Sequence, residues 1–132
     1  MGGTLKVLLD THVLIWWWRG DVRLDERIAT LIATGGDDIL VSAVSAWEIA
    51  TKRRIGKLPE LDGGGFDFRR FVAIQRLATL PVTVAHALRG GGYDTAHADP
   101  FDRLLAAQSE LEDMPLVTRD PAFAVFPCET RW

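Results

Sequence analysis

Short apolar runs alternate along the chain with amphipathic stretches, and this alternation restricts the fold more than any other feature of the sequence. Leu5-Lys6-Val7-Leu8-Leu9 stops at Asp10, Asp38-Ile39-Leu40-Val41-Ser42 leads into a helical stretch, and Pro115-Leu116-Val117-Thr118 ends at Arg119-Asp120; Pro81-Val82-Thr83-Val84 is a weaker fourth. Their length and β-branched content mark them as strands, and their near-continuous apolarity marks a sheet covered on both faces, hence parallel pairing. Between them, Leu24–Ala33 places Leu24, Ile28, Leu31 and Ile32 on one helical stripe, and Ala43–Arg54 does so with Val44, Trp47, Ile49 and Ala50. Phe68–Leu77 (Phe68, Phe71, Val72, Ile74) and Pro100–Leu111 (Leu104 to Ala107, Leu111) follow the same rule. The expected fold is α/β, a three-layer α/β/α sandwich with a mostly parallel central sheet.

The length, 132 residues, suits one domain spanning 1–132, and 48% hydrophobic content is enough for a real core. A single cysteine, Cys128, cannot form an internal disulfide and points to a reducing compartment, the cytoplasm. No run approaches the ~20 apolar residues of a membrane span, and the N-terminus lacks the charge and cleavage pattern of a secretory signal. The triplets Gly63–Gly65 and Gly90–Gly92 read as loops, and Gly35-Gly36-Asp37-Asp38 as a helix-to-strand turn. None matches a phosphate-binding or dinucleotide fingerprint.

Acids stand where the strands end. Asp10 closes the first, Glu48 lies in the helix after the second, Asp120 follows the last, and Asp99 and Asp102 open the helix at Pro100. In an open parallel sheet, the carboxyl ends of strands and the helix starts beyond them line the ligand crevice. Each acid also has a structural reading. Ser45-Ala46-Trp47-Glu48 matches a capping box, Asp99-Pro100-Phe101-Asp102 is a good helix start, Asp120 before Pro121 suits a turn, and Asp10 suits the cap of a following helix. Their joint occurrence at one sheet edge favours a site, since crowded carboxylates must take up protons or bind a cation. Oxygen-only donors select Mg2+ or Mn2+ over zinc, and the three histidines show no zinc-type spacing.

Such an ion implies phosphodiester hydrolysis. The net charge of −3 does not oppose a nucleic-acid substrate, because setting the five site acids aside leaves the rest of the chain positive. Lys52, Arg53, Arg54 and Lys57 form a basic segment that reads equally as a phosphate track or as a helix end favoured by the dipole.

The strings LLDTHVLIWW (Leu8 to Trp17), VSAVSAWEIATKRRIGKL (Val41 to Leu58), HADPFDRLLAAQS (His97 to Ser109) and LVTRD (Leu116 to Asp120) resemble the signature blocks of PIN-domain proteins, and more narrowly of VapC ribonuclease toxins from type II toxin–antitoxin modules. The resemblance spans nearly the whole chain. It implies an Mg2+- or Mn2+-dependent endoribonuclease acting on RNA, a homodimer, and restraint by a small DNA-binding VapB-type antitoxin. Carried over by motif, Asp10, Glu48, Asp102 and Asp120 form the acidic quartet, with Asp99 as neighbouring acid; helix periodicity puts Asp99 and Asp102 on one face, so both are expected to approach the ion, and the motif does not say which binds it directly. Thr11, Ser42 and Thr118 are candidate polar groups behind the acids, Lys52 and Arg53 candidate RNA contacts, and Arg103 and Arg119 either phosphate contacts or counter-charges. The sequence departs from the family pattern at Gly90–Ala98, where glycines replace a proline-containing approach to the DPFD block. The alternatives are a phosphoacceptor signalling domain, which would want an acid pair where Thr11 and His12 stand, and a non-catalytic PIN-like binding protein, which would not need the full acid set.

Overall fold

The computed structural model describes residues 5–132; the first four residues of the expected domain lie outside the described residues. Five strands form one all-parallel sheet in the order β3-β2-β1-β4-β5: β1 (Val7–Leu9), β2 (Ile39–Ser42), β3 (Ala78–Leu80), β4 (Leu116–Val117) and β5 (Thr130–Arg131). Six helices accompany them: α1 (Thr11–Arg19), α2 (Glu26–Gly35), α3 (Ala43–Arg54), α4 (Phe68–Ile74), α5 (Val84–Gly92) and α6 (Pro100–Leu111).

The period-two alternation of strand side chains divides the core into two layers. Val7, Leu9, Ile39, Val41 and Val117 face one layer, with Leu14, Ile28, Ile32 and Val72 from the helices there. Leu8, Leu40 and Leu116 face the other, with Phe101, Leu105, Ala106 and Phe123. The expected three-layer sandwich is therefore present, and its sheet is parallel throughout.

Several elements differ from expectation. The weak strand at 81–84 lies three residues earlier, at β3, because Pro81 has no N–H for a ladder and Thr83 begins a helix. The Thr83 hydroxyl accepts from His86 N (3.2 Å) while His86 Nδ1 accepts from Thr83 N (3.0 Å), a capping box closed by an imidazole. Helix α5 that follows includes Gly90–Gly92, expected as a loop. Gly90 is buried against α6, where an added Cβ would sit 3.0 Å from the Arg103 carbonyl oxygen, so the close approach of two helices explains this glycine. β5 carries no apolar signal, being two exposed residues.

The packing of α3 also differs. Its buried face holds Val44, Ser45, Glu48 and Ile49, whereas Trp47 is 52% exposed and Ala50 is exposed. Ile74 and Leu111, expected on core stripes, are exposed as well. Of the three consecutive indoles, Trp16 is buried and Trp17 and Trp18 are half-buried, Trp17 Nε1 donating to Gln75 Oε1 (3.1 Å) and Trp18 packing edge-on against Phe66.

Candidate active site

Strand order reverses at β1, which has β2 on one side and β4 on the other, and in parallel sheets such a reversal opens a crevice beyond the strand ends. Asp10 stands there. The backbone ties it to the sheet through Asp10 N donating to Val117 O (3.0 Å), and it is the first residue before α1, yet its side chain makes no capping bond. Instead Oδ2 accepts from the Thr118 hydroxyl (2.8 Å), and the same hydroxyl accepts from Asp120 N (3.0 Å). Thr118 thus links the two strand ends through one oxygen.

Asp10 is 6% exposed and has no cationic hydrogen-bond partner. Burial pushes its pKa up to about 6; the Thr118 bond and His12 pull against this, while Asp102 and Glu48 add to it. Burial likewise raises the pKa of Asp102, which His97 opposes through a 2.8 Å bond from Nε2 to Oδ2 and which Asp99 and Glu48 reinforce. Glu48 is buried and paired with Lys52 one turn along α3. Burial works against the Lys52 charge, but Glu48, with Asp99 and Asp102 nearby, more than offsets it and raises the lysine's pKa. These mutual influences bring Asp10, Glu48, Asp99 and Asp102 into one electrostatic neighbourhood, and Asp120 lines a cavity of about 230 Å3 together with Asp10.

The capping readings divide. Asp99 Oδ1 accepts from Phe101 N (2.8 Å) and Asp102 N (3.2 Å), so it caps α6, and Asp120 Oδ1 accepts from Ala122 N (2.9 Å). Glu48 is no cap. Strand β2 runs directly into α3 with Ser42 as N-cap, accepting from Val44 N (2.9 Å), so Ser45 and Glu48 are both inside the helix. Ser42 for the same reason does not stand behind the acids: its hydroxyl caps α3 and donates to Gln108 Oε1 (2.5 Å). The Thr11 hydroxyl bonds Ser45 Oγ (2.9 Å) in the interior, joining α1 to α3.

Two of the basic residues bond backbone carbonyls of the chain itself. The Arg103 guanidinium donates to the carbonyls of Gly90 (2.8 Å), Tyr93 (2.5 Å), Thr95 (3.2 Å) and His97 (2.6 Å), holding the segment that leads to Asp99. The glycine-rich departure is thereby ordered by a single side chain. Arg53 Nη1 donates to Phe66 O (3.2 Å), and Lys52 turns inward to Glu48, so the basic segment is not an open track over its whole length.

Among the described residues, no three His, Cys, Asp or Glu side chains converge at cation-binding distance, contrary to the expected convergence of five acids. The physical reason is visible in the pairings. Like-charged carboxylates repel one another and each takes a local partner: Lys52 for Glu48, His97 for Asp102, and backbone N–H groups for Asp99 and Asp120. The donor set nonetheless suits a hard divalent ion, because Asp10 is a buried carboxylate balanced only by a neutral hydroxyl. The sequence places His97 beside the acids without naming Asp102 as its partner, and it does not single out Ser45 as the partner of Thr11 or Trp16 as a cavity wall; the only available signal for these is their position within the blocks around the acids.

Similar folds are known. The DNA-bound VapBC complex from Salmonella typhimurium contains a chain with 18% identity, 96% of each chain covered and a TM-score of 0.64. A toxin–antitoxin complex from Klebsiella pneumoniae gives 17% identity over 92% of this chain and 93% of that one, with a TM-score of 0.59. VapBC2 from Rickettsia felis, bound to a promoter DNA fragment, gives 16% identity, 96% of each chain and a TM-score of 0.58. At such identities the likeness is one of fold. No curated protein matches the chain in sequence. A match to the PIN domain family runs over residues 7–127, and with the acids placed at the strand ends of a parallel sheet, the chain belongs to the PIN domain family.

Proposed function

We propose that the chain is the toxin of a type II toxin–antitoxin module, a VapC-type endoribonuclease dependent on Mg2+ or Mn2+ and inhibited by a VapB-type antitoxin. Family membership and the fold shared with chains from toxin–antitoxin complexes support this reading. The observation that carries it is Asp10, a buried carboxylate at the sheet's switch point without a cationic hydrogen-bond partner.

In this reading Asp10, Asp99, Asp102 and Asp120 hold the ion, which supplies acidification of a water and neutralisation of charge developing on the phosphate. The remaining tasks fall to the chain itself. Thr118 keeps Asp10 and Asp120 in register through one hydroxyl. His97 orients Asp102, and the ion pair with Lys52 fixes the Glu48 carboxylate beside the site, where it would position a water for attack. The working form is a homodimer in the cytoplasm, its substrate is RNA, and the whole domain spans 1–132. No helix among the described residues is long and apolar enough to cross a membrane.

Purified protein incubated with mixed cellular RNA tests the activity. Cleavage is expected with Mg2+, not in EDTA, and not by the Asp10→Asn variant; equal cutting in EDTA overturns the proposal. Induction in cells is expected to arrest growth, with relief by the same substitution, which separates a toxin from a housekeeping nuclease.

A further inference from the structure

The cavity beside Asp10 contains more than acids. Its lining is Asp10, His12, Val13, Trp16, Arg119 and Asp120. Val13 and Trp16 are buried and make an apolar floor, while His12 and Arg119 are exposed at the rim. The Trp16 indole is held by Arg23, whose guanidinium carbon stands 5.0 Å from the ring centre, and by Trp132 edge-on at 6.0 Å. The floor is thus packed by side chains of this chain.

Arg119, which the sequence left between phosphate contact and counter-charge, is the cation of the lining. It lies next to Asp120 in sequence and shares the cavity with Asp10, yet no ion pair among the described residues uses its guanidinium. Asp10 is engaged by Thr118 and Asp120 by a backbone N–H instead. A planar donor fork left open beside two carboxylates is suited to an incoming phosphate, which those carboxylates would otherwise repel. The volume, about 230 Å3, is below the ~300–1,000 Å3 of drug-sized sites and suits a single nucleoside-sized group with its phosphate at the exposed rim, not a helix of a protein partner.

We propose that this cavity seats the nucleotide adjoining the cleaved linkage, with Arg119 binding its phosphate and the Val13–Trp16 floor and His12 packing its sugar and base. The assignment rests on the ribonuclease reading above. Arg119 is a positioning residue here, so its contribution is to binding and does not depend on a metal ion.

The test is binding of a short, fluorescent 2′-O-methyl RNA strand by the full chain in EDTA, followed by anisotropy across a salt series. Arg119→Gln is expected to weaken binding about tenfold and to reduce the slope of log K against log salt by ~0.7, the value for one phosphate contact on a single strand. Arg69→Gln, an equal charge change on an exposed residue of α4, is expected to stay within about twofold, and both variants are expected to melt like the wild type because both side chains are exposed. Unchanged affinity and slope in Arg119→Gln, or an equal loss in Arg69→Gln, overturns the subsite. So does an absence of binding in EDTA by protein that cuts RNA with Mg2+. Protein that neither binds nor cuts RNA overturns the ribonuclease reading as well, which keeps the two failures apart.

Discussion

Asp10 is held in an environment that disfavours its own charge. The group's pKa rises from 3.8 to about 6 in the folded protein, chiefly through burial, so the folded state retains this proton over a pH range where the unfolded chain releases it. Stability associated with the group is fully present below about pH 4 and is lost as pH rises through about 6. Asparagine keeps the shape and the acceptor for Thr118 without the charge. Asp10→Asn is therefore expected to be more stable than the wild type at pH 8 in EDTA, by up to roughly 3 kcal/mol, and nearly equal to it at pH 4. Denaturant titrations at the two pH values measure this; a variant less stable at pH 8 would show that Asp10 is a structural cap. A gain in stability with loss of cleavage is the pattern of a residue whose placement serves function at the expense of the fold.

At the scale of elements, α5 and α6 carry the segment that delivers Asp99 and Asp102. Their approach depends on Gly90, whose hydrogen faces the Arg103 carbonyl, whereas Gly91 in the same last turn faces open space. Both glycines carry the helix-propensity penalty of ~1 kcal/mol relative to alanine. Gly91→Ala is expected to raise stability by about 0.5–1 kcal/mol. Gly90→Ala, forcing a backbone atom 3.0 Å from its Cβ to move, is expected to lose about 1 kcal/mol or more despite the better propensity. Thermal melts of the two variants decide it: equal gains in both would mean that α6 yields freely. Arg103, bonded across the same junction, explains why a glycine-rich run leads into an ordered approach to the acids.

The whole molecule is a sheet whose carboxyl edge accumulates negative charge from separate stretches of chain. In the fold described, each site acid except Asp10 has an ionic or backbone partner, which leaves Asp10 as the buried carboxylate held only by a hydroxyl. An ion that binds the folded state alone stabilises it by RT ln(1 + [L]/Kd), about 2.7 kcal/mol at a hundredfold excess over Kd. Mn2+ or Mg2+ is accordingly expected to raise the melting temperature of the wild type in a concentration-dependent way and to leave Asp10→Asn nearly unmoved. An equal rise in both would place ion binding elsewhere on the surface.

The sequence by itself determined the layers, the parallel sheet and the chain positions of the acids, because apolar runs that are buried on both faces and punctuated by acids have few other ways to fold. Helix α6 was legible to the residue, since Asp99 acts as a local cap, and the span of α3 was legible from its periodicity, although its cap is Ser42 and not the Ser45 of the expected capping box. What only the tertiary structure decided was which way side chains turn and what they meet. Glu48 rather than Trp47 faces inward on α3, Ser42 caps while Thr118 bridges, Arg103 binds carbonyls while Arg119 stays open, and Gly90 is helical because α6 lies against it. Periodicity reports hydrophobic preference along one element, whereas these outcomes depend on charges and carbonyls supplied by residues distant in sequence, which no local pattern encodes.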